Sequence, residues 1–467
     1  MTLIKSISGI RGTIGGAPGE GLTPLDIVKF ASAFGQWVTG QVVDTHKAKV
    51  VIGRDARPSG HMVSQLVANT LQGLGIDVID LGLTTTPTVE LAVPGENAAG
   101  GIIITASHNP VQWNALKLLN KKGEFISAAD GAQVLSLANA DAYHYAEVKQ
   151  LGTYTQDDTW LQKHIDQILA LPLVNQEAIA NANFRIAVDA VNSSGGIAVP
   201  ALLKALGVQE VKEIYCEPNG QFPHNPEPLP EHITRICSEI EHGNYHLGIV
   251  VDPDVDRLAM ICDDGVPFGE EYTLVAVADY VLKHQQGNTV SNLSSTQALR
   301  DVTKKRGGTY TSAAVGEVNV VTQMKKVNAV IGGEGNGGII YPELHYGRDA
   351  LVGIALMLSH LAAYGKSSAM LRSTYPNYHI SKNKIELTPE IDVDHVLEEI
   401  KDKYKNNPVN TIDGVKIEFD QEWVHLRKSN TEPIIRIYAE SALAATAEHL
   451  ANKIISDIKE LISSKAE

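Results

Sequence analysis

A chain of 467 residues is longer than one hydrophobic core organises, so three or four domains are expected. Its formal charge of −15 sets it against nucleic acid and anionic membrane surfaces, which repel an acidic protein, although a few local Arg and Lys residues can still line a cleft for a small anion. No apolar run approaches the ~20 residues of a membrane-spanning helix, the N-terminus lacks the blocks of a signal peptide, and Cys216, Cys237 and Cys262 lack paired spacing. Neither a disulfide framework nor a zinc site is indicated, and a cytoplasmic location is expected.

Residues 1–16 read as a flexible entry loop in which Arg11, between glycines, is free to reach an anion. A helix is expected next, with Thr23 as its cap, Pro24 at its first position and an apolar stripe of Leu25, Val28, Ala31 and Phe34. A strand–loop–helix–glycine–strand unit then recurs at 49–83, 184–215 and, in degenerate form, 289–314. Three such units predict three related α/β domains with mixed sheets, their functional loops projecting from the same edge. After residue 370 the pattern changes: 371–385 and 415–439 alternate like strands, and 441–461 is amphipathic, with Leu443, Ala447, Leu450, Ile454, Ile458 and Leu461 on one side. That predicts a smaller C-terminal α+β domain. The expected boundaries are 1–152, 153–256, 257–369 and 370–467, around a central cleft.

Four stretches carry chemistry. In Gly101–Pro110 a buried strand empties into Thr105-Ala106-Ser107-His108-Asn109-Pro110, where a serine at a strand tip can present its hydroxyl as a nucleophile or simply cap a turn. In Gly248–Arg257 carboxylates recur at every second position, Asp252, Asp254 and Asp256; an extended chain would point them to one face, where their repulsion calls for a hard cation such as Mg²⁺. An EF-hand is excluded, since Arg257 and Asp263 occupy its Gly and Glu positions. Gly333, Gly335 and Gly338 match a dinucleotide fingerprint, but Ile339-Ile340-Tyr341-Pro342 opens no helix for a pyrophosphate, so a mobile loop presenting Glu334 and Asn336 to hydroxyls is the better reading. Finally, Arg427-Lys428-Ser429-Asn430-Thr431-Glu432-Pro433, between alternating strands, has the donors of a phosphate pocket.

Together these four stretches, in this order and one per domain, resemble the signature loops of the α-D-phosphohexomutases along the whole chain. The resemblance implies a reversible phosphoryl transfer between the 1- and 6-positions of a hexose phosphate through phosphoserine at Ser107 and a hexose 1,6-bisphosphate intermediate. It implies Mg²⁺ held by Ser107, Asp252, Asp254 and Asp256, with His108, Lys117, Arg11 and Arg257 at the catalytic centre. Glu334, Asn336, Arg427, Ser429, Asn430 and Thr431 would bind substrate. Many relatives have Ser and His where Asn336 and Gly338 stand, and Gly-His where Gly316-Glu317 stands, so an acid or base from those histidines is absent. The Gly-Glu loop looks most like members assigned to glucosamine phosphate, with glucose and mannose phosphate mutases as the alternative. A sugar phosphatase using Asp252 as nucleophile is a further reading. The implied partners are small sugar phosphates, with no nucleic acid or membrane; a homodimer is an allowed assembly.

Overall fold

Residues 2–6, 9–42, 47–386, 391–428 and 434–463 are described in a computed structural model. Each recurring unit is a parallel strand pair joined by a helix. Lys49–Arg54 pairs with Asp77–Leu83, Arg185–Asp189 with Glu210–Ile214, and Asn288–Asn292 with Tyr310–Ala313. The first strand of each pair takes a second parallel neighbour, respectively Gly100–Ile104, Leu247–Val251 and Ala329–Glu334. Each neighbour then turns back into an antiparallel strand, Trp113–Asn120, Leu258–Cys262 or Gly338–Ile340. The three sheets therefore share one strand order, the first being widened to seven strands. The serine, aspartate and Gly-Glu loops all leave the carboxyl ends of the corresponding second neighbours, so one topology aims all three the same way.

Helices cover both faces of these sheets, which is why the central strands read as continuous apolar runs such as Leu247–Val251, buried throughout. The second and third units share one core, running from Ile165 to Tyr375 and including the helices Glu270–His284 and Ala350–Tyr364. Leu258–Cys262 completes the second sheet beyond the boundary expected at residue 256. The C-terminal domain is a five-stranded antiparallel sheet with the helices Val393–Lys403 and Ala444–Ser463 packed against it. Among the described residues no helix is long and apolar enough to cross a membrane.

Three expectations need correction. The entry segment is not a loop: Gly9–Thr13 pairs with Trp113–Asn120, placing Arg11 opposite Ala115. A methyl group at Gly9 would lie 2.2 Å from the Leu116 carbonyl, so the glycine serves close strand approach rather than flexibility. The helix Pro24–Gln41 begins at Thr23 with a capping box closed by Asp26, but its buried stripe is Ile27, Phe30, Ala31, Phe34 and Val38. Leu25 is 66% exposed, because a strict three-residue spacing drifts off the face that a 3.6-residue period keeps inside. Urea unfolding should accordingly show Phe30→Ala costing about 3–5 kcal/mol and Leu25→Ser staying within about 0.5 kcal/mol of wild type. In the C-terminal domain, Leu371 belongs to the short helix Ser368–Arg372, capped by Ser367, and strand structure starts only at His379. Leu443 precedes the last helix and is exposed.

Candidate active site

The serine loop is held from below by side chains of the 54–60 loop. Asp55 accepts a hydrogen bond from the Thr105 hydroxyl at 2.6 Å, and Thr105 accepts from the Ser107 amide at 2.9 Å. Arg57, fully buried, pairs its Nε with Asp55 at 3.0 Å and donates to the carbonyls of Ser107, Asn109 (2.7 Å), Pro110 (2.6 Å) and Trp113 (3.1 Å). All five guanidinium N–H groups are thus used. Ser107 itself has φ +49°, a left-handed conformation for a non-glycine residue. Its hydroxyl does not cap its own turn; it donates to Asp252 Oδ2 at 2.8 Å. His108 Nδ1 lies 3.5 Å from that hydroxyl, and burial, reinforced by the Arg257 charge, pushes the imidazole well below its usual range, leaving it neutral.

The three aspartates converge through a turn rather than an extended chain. The Val255 amide donates back to the Asp252 carbonyl at 3.1 Å, and Val255 has φ +63°, a strained conformation for a β-branched residue. Ser193 and Ser194 hold the turn by donating to the Pro253 carbonyl at 2.7 and 2.8 Å. Asp252 Oδ1 accepts from the amides of Asp256 and Arg257 at 3.2 and 3.1 Å. Asp254 Oδ2 accepts from Thr86 and from Lys117 Nζ, both at 2.6 Å. Asp256 Oδ2 accepts from Arg348 at 2.7 Å and Lys117 at 3.3 Å. What remains is Asp254 Oδ1 and Asp256 Oδ1, both buried and without a hydrogen bond, although Arg257 Nε lies 3.9 Å from Asp256 Oδ1.

One oxygen from each aspartate lies within 4.8 Å of the others. Buried, unpartnered carboxylate oxygens are costly unless a cation satisfies them, and an all-oxygen set suits a hard divalent ion. The residues present therefore fit a metal site. The electrostatics agree: burial and the charges of Asp256 and Asp254 push Asp252 well above the carboxylate range. For Asp256 burial acts in the same direction, but Arg348, Lys117 and Arg257 outweigh it and hold its carboxyl below that range. Burial opposes the Lys117 charge, yet Asp254 and Asp256 keep the ammonium protonated with a raised pKa.

The Gly-Glu segment is a tight hairpin rather than a mobile loop: Glu334 pairs with Gly338 across the turn, and the Gly337 carbonyl accepts from the Leu258 amide at 3.1 Å. Gly337 has φ +86°, and a methyl group there would lie 2.3 Å from the Leu258 carbonyl. Glu334 Oε1 accepts from Asn292 at 2.7 Å and the Gly316 amide at 3.0 Å, while Oε2 accepts from Arg348 at 3.0 Å. Asn336 Oδ1 accepts from the Gly338 amide at 3.2 Å and so stabilises its own turn. Beneath Gly335 lies Glu271, which accepts from the Thr296 amide at 2.9 Å and is pushed up to about 8 by burial. A carboxyl raised on folding takes up a proton as the chain folds, so stability declines as pH climbs from about 4.5 to about 8. Unfolding of wild type and Glu271→Gln, compared at about pH 5.5 and about pH 8.5, should show the variant losing less stability over that interval.

Arg257 Nη1 bonds Glu227 Oε1 at 3.2 Å, and burial together with the Arg257 charge lowers the pKa of Arg11, so the two arginines share a cationic wall. Arg427, at the end of the strand Glu422–Lys428, pairs with Asp413 at 3.5 Å. Ser429, Asn430 and Thr431 lie outside the described residues. Arg57, Thr86, Glu317 and Arg348 carry no role at this site in a reading of the sequence alone. Arg348 precedes Asp349, the N-cap of an apolar helix, and that cap before an apolar run is the only local signal at its position.

Family models match the chain in order: phosphoglucomutase/phosphomannomutase alpha/beta/alpha domain I over residues 3–144, domain II over 162–265, domain III over 269–378 and the C-terminal domain over 384–456. The four-domain α/β fold is that of a phosphohexomutase. The chain belongs to the phosphoglucomutase/phosphomannomutase family. It is 33% identical over 436 residues to a phosphoglucomutase/phosphomannomutase of Thermococcus kodakarensis, covering 92% of this chain and 94% of that one. It is 30% identical over 475 residues to a phosphoglucosamine/phosphogalactosamine mutase of Sulfurisphaera tokodaii, covering 100% of each. A crystal structure of a phosphoglucomutase/phosphomannomutase family protein from Burkholderia thailandensis superposes with a TM-score of 0.84 at 25% identity, covering 98% of both chains.

Proposed function

We propose that this chain interconverts glucosamine 6-phosphate and glucosamine 1-phosphate, carrying the exchanged phosphoryl group on Ser107. The observation that carries the reading is the Ser107 hydroxyl, 2.8 Å from Asp252 within a buried aspartate triad. Phosphorylated, Ser107 would add a charge of about −1.5 to −2 and three acceptor oxygens beside that triad. A phosphoryl oxygen with Asp252, Asp254 and Asp256 would hold Mg²⁺, whose bound charge offsets that developing on the transferring group.

In the transfer, the bond from phosphorus to Ser107 Oγ breaks as one to a sugar hydroxyl oxygen forms; the hydroxyl gives its proton to water and the serine oxygen takes one up, so protons balance. Lys117, kept protonated by Asp254 and Asp256, suits donation of a proton to the departing serine oxygen. The product is a hexose 1,6-bisphosphate, which turns round in the cleft and returns its other phosphoryl to Ser107; the same compound would recharge an unphosphorylated chain. Arg11, Arg257 and Arg427 with Ser429, Asn430 and Thr431 would receive the phosphate that does not react, and Glu334 and Asn336, already bonded within and around their hairpin, would meet the sugar hydroxyls with the lone pairs and amide hydrogens left over. His108, neutral beside the serine, completes the wall.

The Sulfurisphaera relative's name supports the amino sugar, as does the Gly-Glu-Gly-Asn-Gly-Gly loop. A second reading, glucose and mannose phosphates as substrates, is favoured by the Thermococcus relative's name. Assays with Mg²⁺ and catalytic bisphosphate should give glucosamine 6-phosphate the largest kcat/KM. A larger value for glucose 1-phosphate or mannose 1-phosphate would install the second reading, and release of free phosphate would sink both. Chelation with EDTA should reduce turnover at least about a hundredfold, with recovery on adding Mg²⁺; undiminished turnover after chelation would remove the metal from the account.

A further inference from the structure

We propose that Arg348 is a positioning residue that sets the aspartate triad and the Glu334 hairpin as one unit, fixing which oxygen Asp256 offers to a divalent cation. The proposal rests on the metal reading above. Arg348 is 9% exposed, and its guanidinium meets three carboxylates from three segments. Nη2 bonds Asp256 Oδ2 at 2.7 Å, Nε bonds Glu317 Oε2 at 2.9 Å, and Nη1 bonds Glu334 Oε2 at 3.0 Å. Its backbone is fixed as well: the Arg348 amide donates to Glu317 Oε1 at 3.2 Å, Arg348 bridges to Ile340, and the Asp349 amide donates to the Ile339 carbonyl at 2.8 Å.

The geometry has two consequences. With Oδ2 taken by Arg348 and Lys117, Asp256 can turn only Oδ1 toward a cation, and Oδ1 is buried with no hydrogen bond, Arg257 Nε standing 3.9 Å away. Because the same planar fork holds Glu334, a displacement of the hairpin is felt at Asp256, and the reverse. Of the three positions that depart from the family loops, Gly338 and Glu317 serve this one side chain. A methyl group at Gly338 would lie 2.4 Å from Arg348 Cδ, so the absent side chain is what makes room for the arginine stem. Glu317 supplies the carboxylate that Nε requires. A lysine offers a point charge and cannot span three carboxylates in fixed directions.

The test is Mn²⁺ binding to the full, substrate-free chain, followed by electron paramagnetic resonance, alongside KM for glucosamine 6-phosphate. Arg348→Met should raise the Mn²⁺ Kd about 10–100-fold, the range for residues that orient metal ligands, and should raise KM as well. Glu334→Gln, which weakens one of the three clamp contacts, should raise KM and also raise the Mn²⁺ Kd, by less than Arg348→Met does. Arg348→Lys, which preserves charge and so guards against simple unfolding, should still raise the Kd. Gly338→Ala, which changes no charge, should do the same by pressing on the arginine stem. Wild-type Mn²⁺ affinity in either Arg348 variant overturns the proposal. Wild-type protein that binds Mn²⁺ no better than Asp254→Asn overturns the metal reading itself, and the clamp with it.

Discussion

Ser107→Ala should lose turnover by about four orders of magnitude, about 5.4 kcal/mol of barrier, while folding normally. The large effect follows from chemistry: without the hydroxyl there is no oxygen to take and return the phosphoryl group. The small effect on stability follows from structure. The hydroxyl makes one strong hydrogen bond, to Asp252 Oδ2, and its removal costs about 1 kcal/mol. Steady-state assays and thermal melts on the same preparation separate the two. A variant that retains most of its phosphate-releasing activity would identify Asp252 as nucleophile instead.

The largest expected stability loss lies one layer below. Arg57→Met leaves the Asp55 carboxylate buried without its countercharge and strips the donors from the carbonyls of Ser107, Asn109, Pro110 and Trp113. Breaking a buried pair of this kind costs about 3–5 kcal/mol. Burial already pushes the Asp55 carboxyl upward against the opposing Arg57 charge, so its solvation is not recovered elsewhere. Arg57→Lys should recover only part of the loss, because three donors on a flexible stem cannot replace five in a fixed fork. Urea unfolding measures both variants. Either one within about 1 kcal/mol of wild type would show that the serine loop does not depend on this anchor.

The serine and aspartate loops were legible because their chemistry is local: Ser107-His108-Asn109-Pro110 and Asp252-Pro253-Asp254-Val255-Asp256 each put the decisive groups within a few residues. The strand–helix–strand units were legible for the same reason, an apolar run and a glycine at fixed places. What the sequence concealed acts across distance. Arg57 reaches the Ser107 carbonyl across 50 residues and Arg348 reaches Asp256 across 92, and neither differs locally from a surface arginine. The alternation of the aspartates suggested an extended chain; the turn that brings them together depends on a valine at positive φ, for which composition carries no signal. The hairpin at 334–338 looked mobile because it is glycine-rich, yet Gly335 and Gly337 are there for contact with Glu271 and Leu258. Side-chain size, not freedom, explains them.

The central claim is that the phosphoryl group travels from Ser107 to a sugar and back. Enzyme charged with radiolabelled phosphate should be mixed in single turnover with unlabelled glucosamine 6-phosphate. Label is expected to leave Ser107 and appear in the sugar bisphosphate and then the monophosphates, with little inorganic phosphate. Label that stays on the protein, or leaves it as inorganic phosphate, would contradict the account.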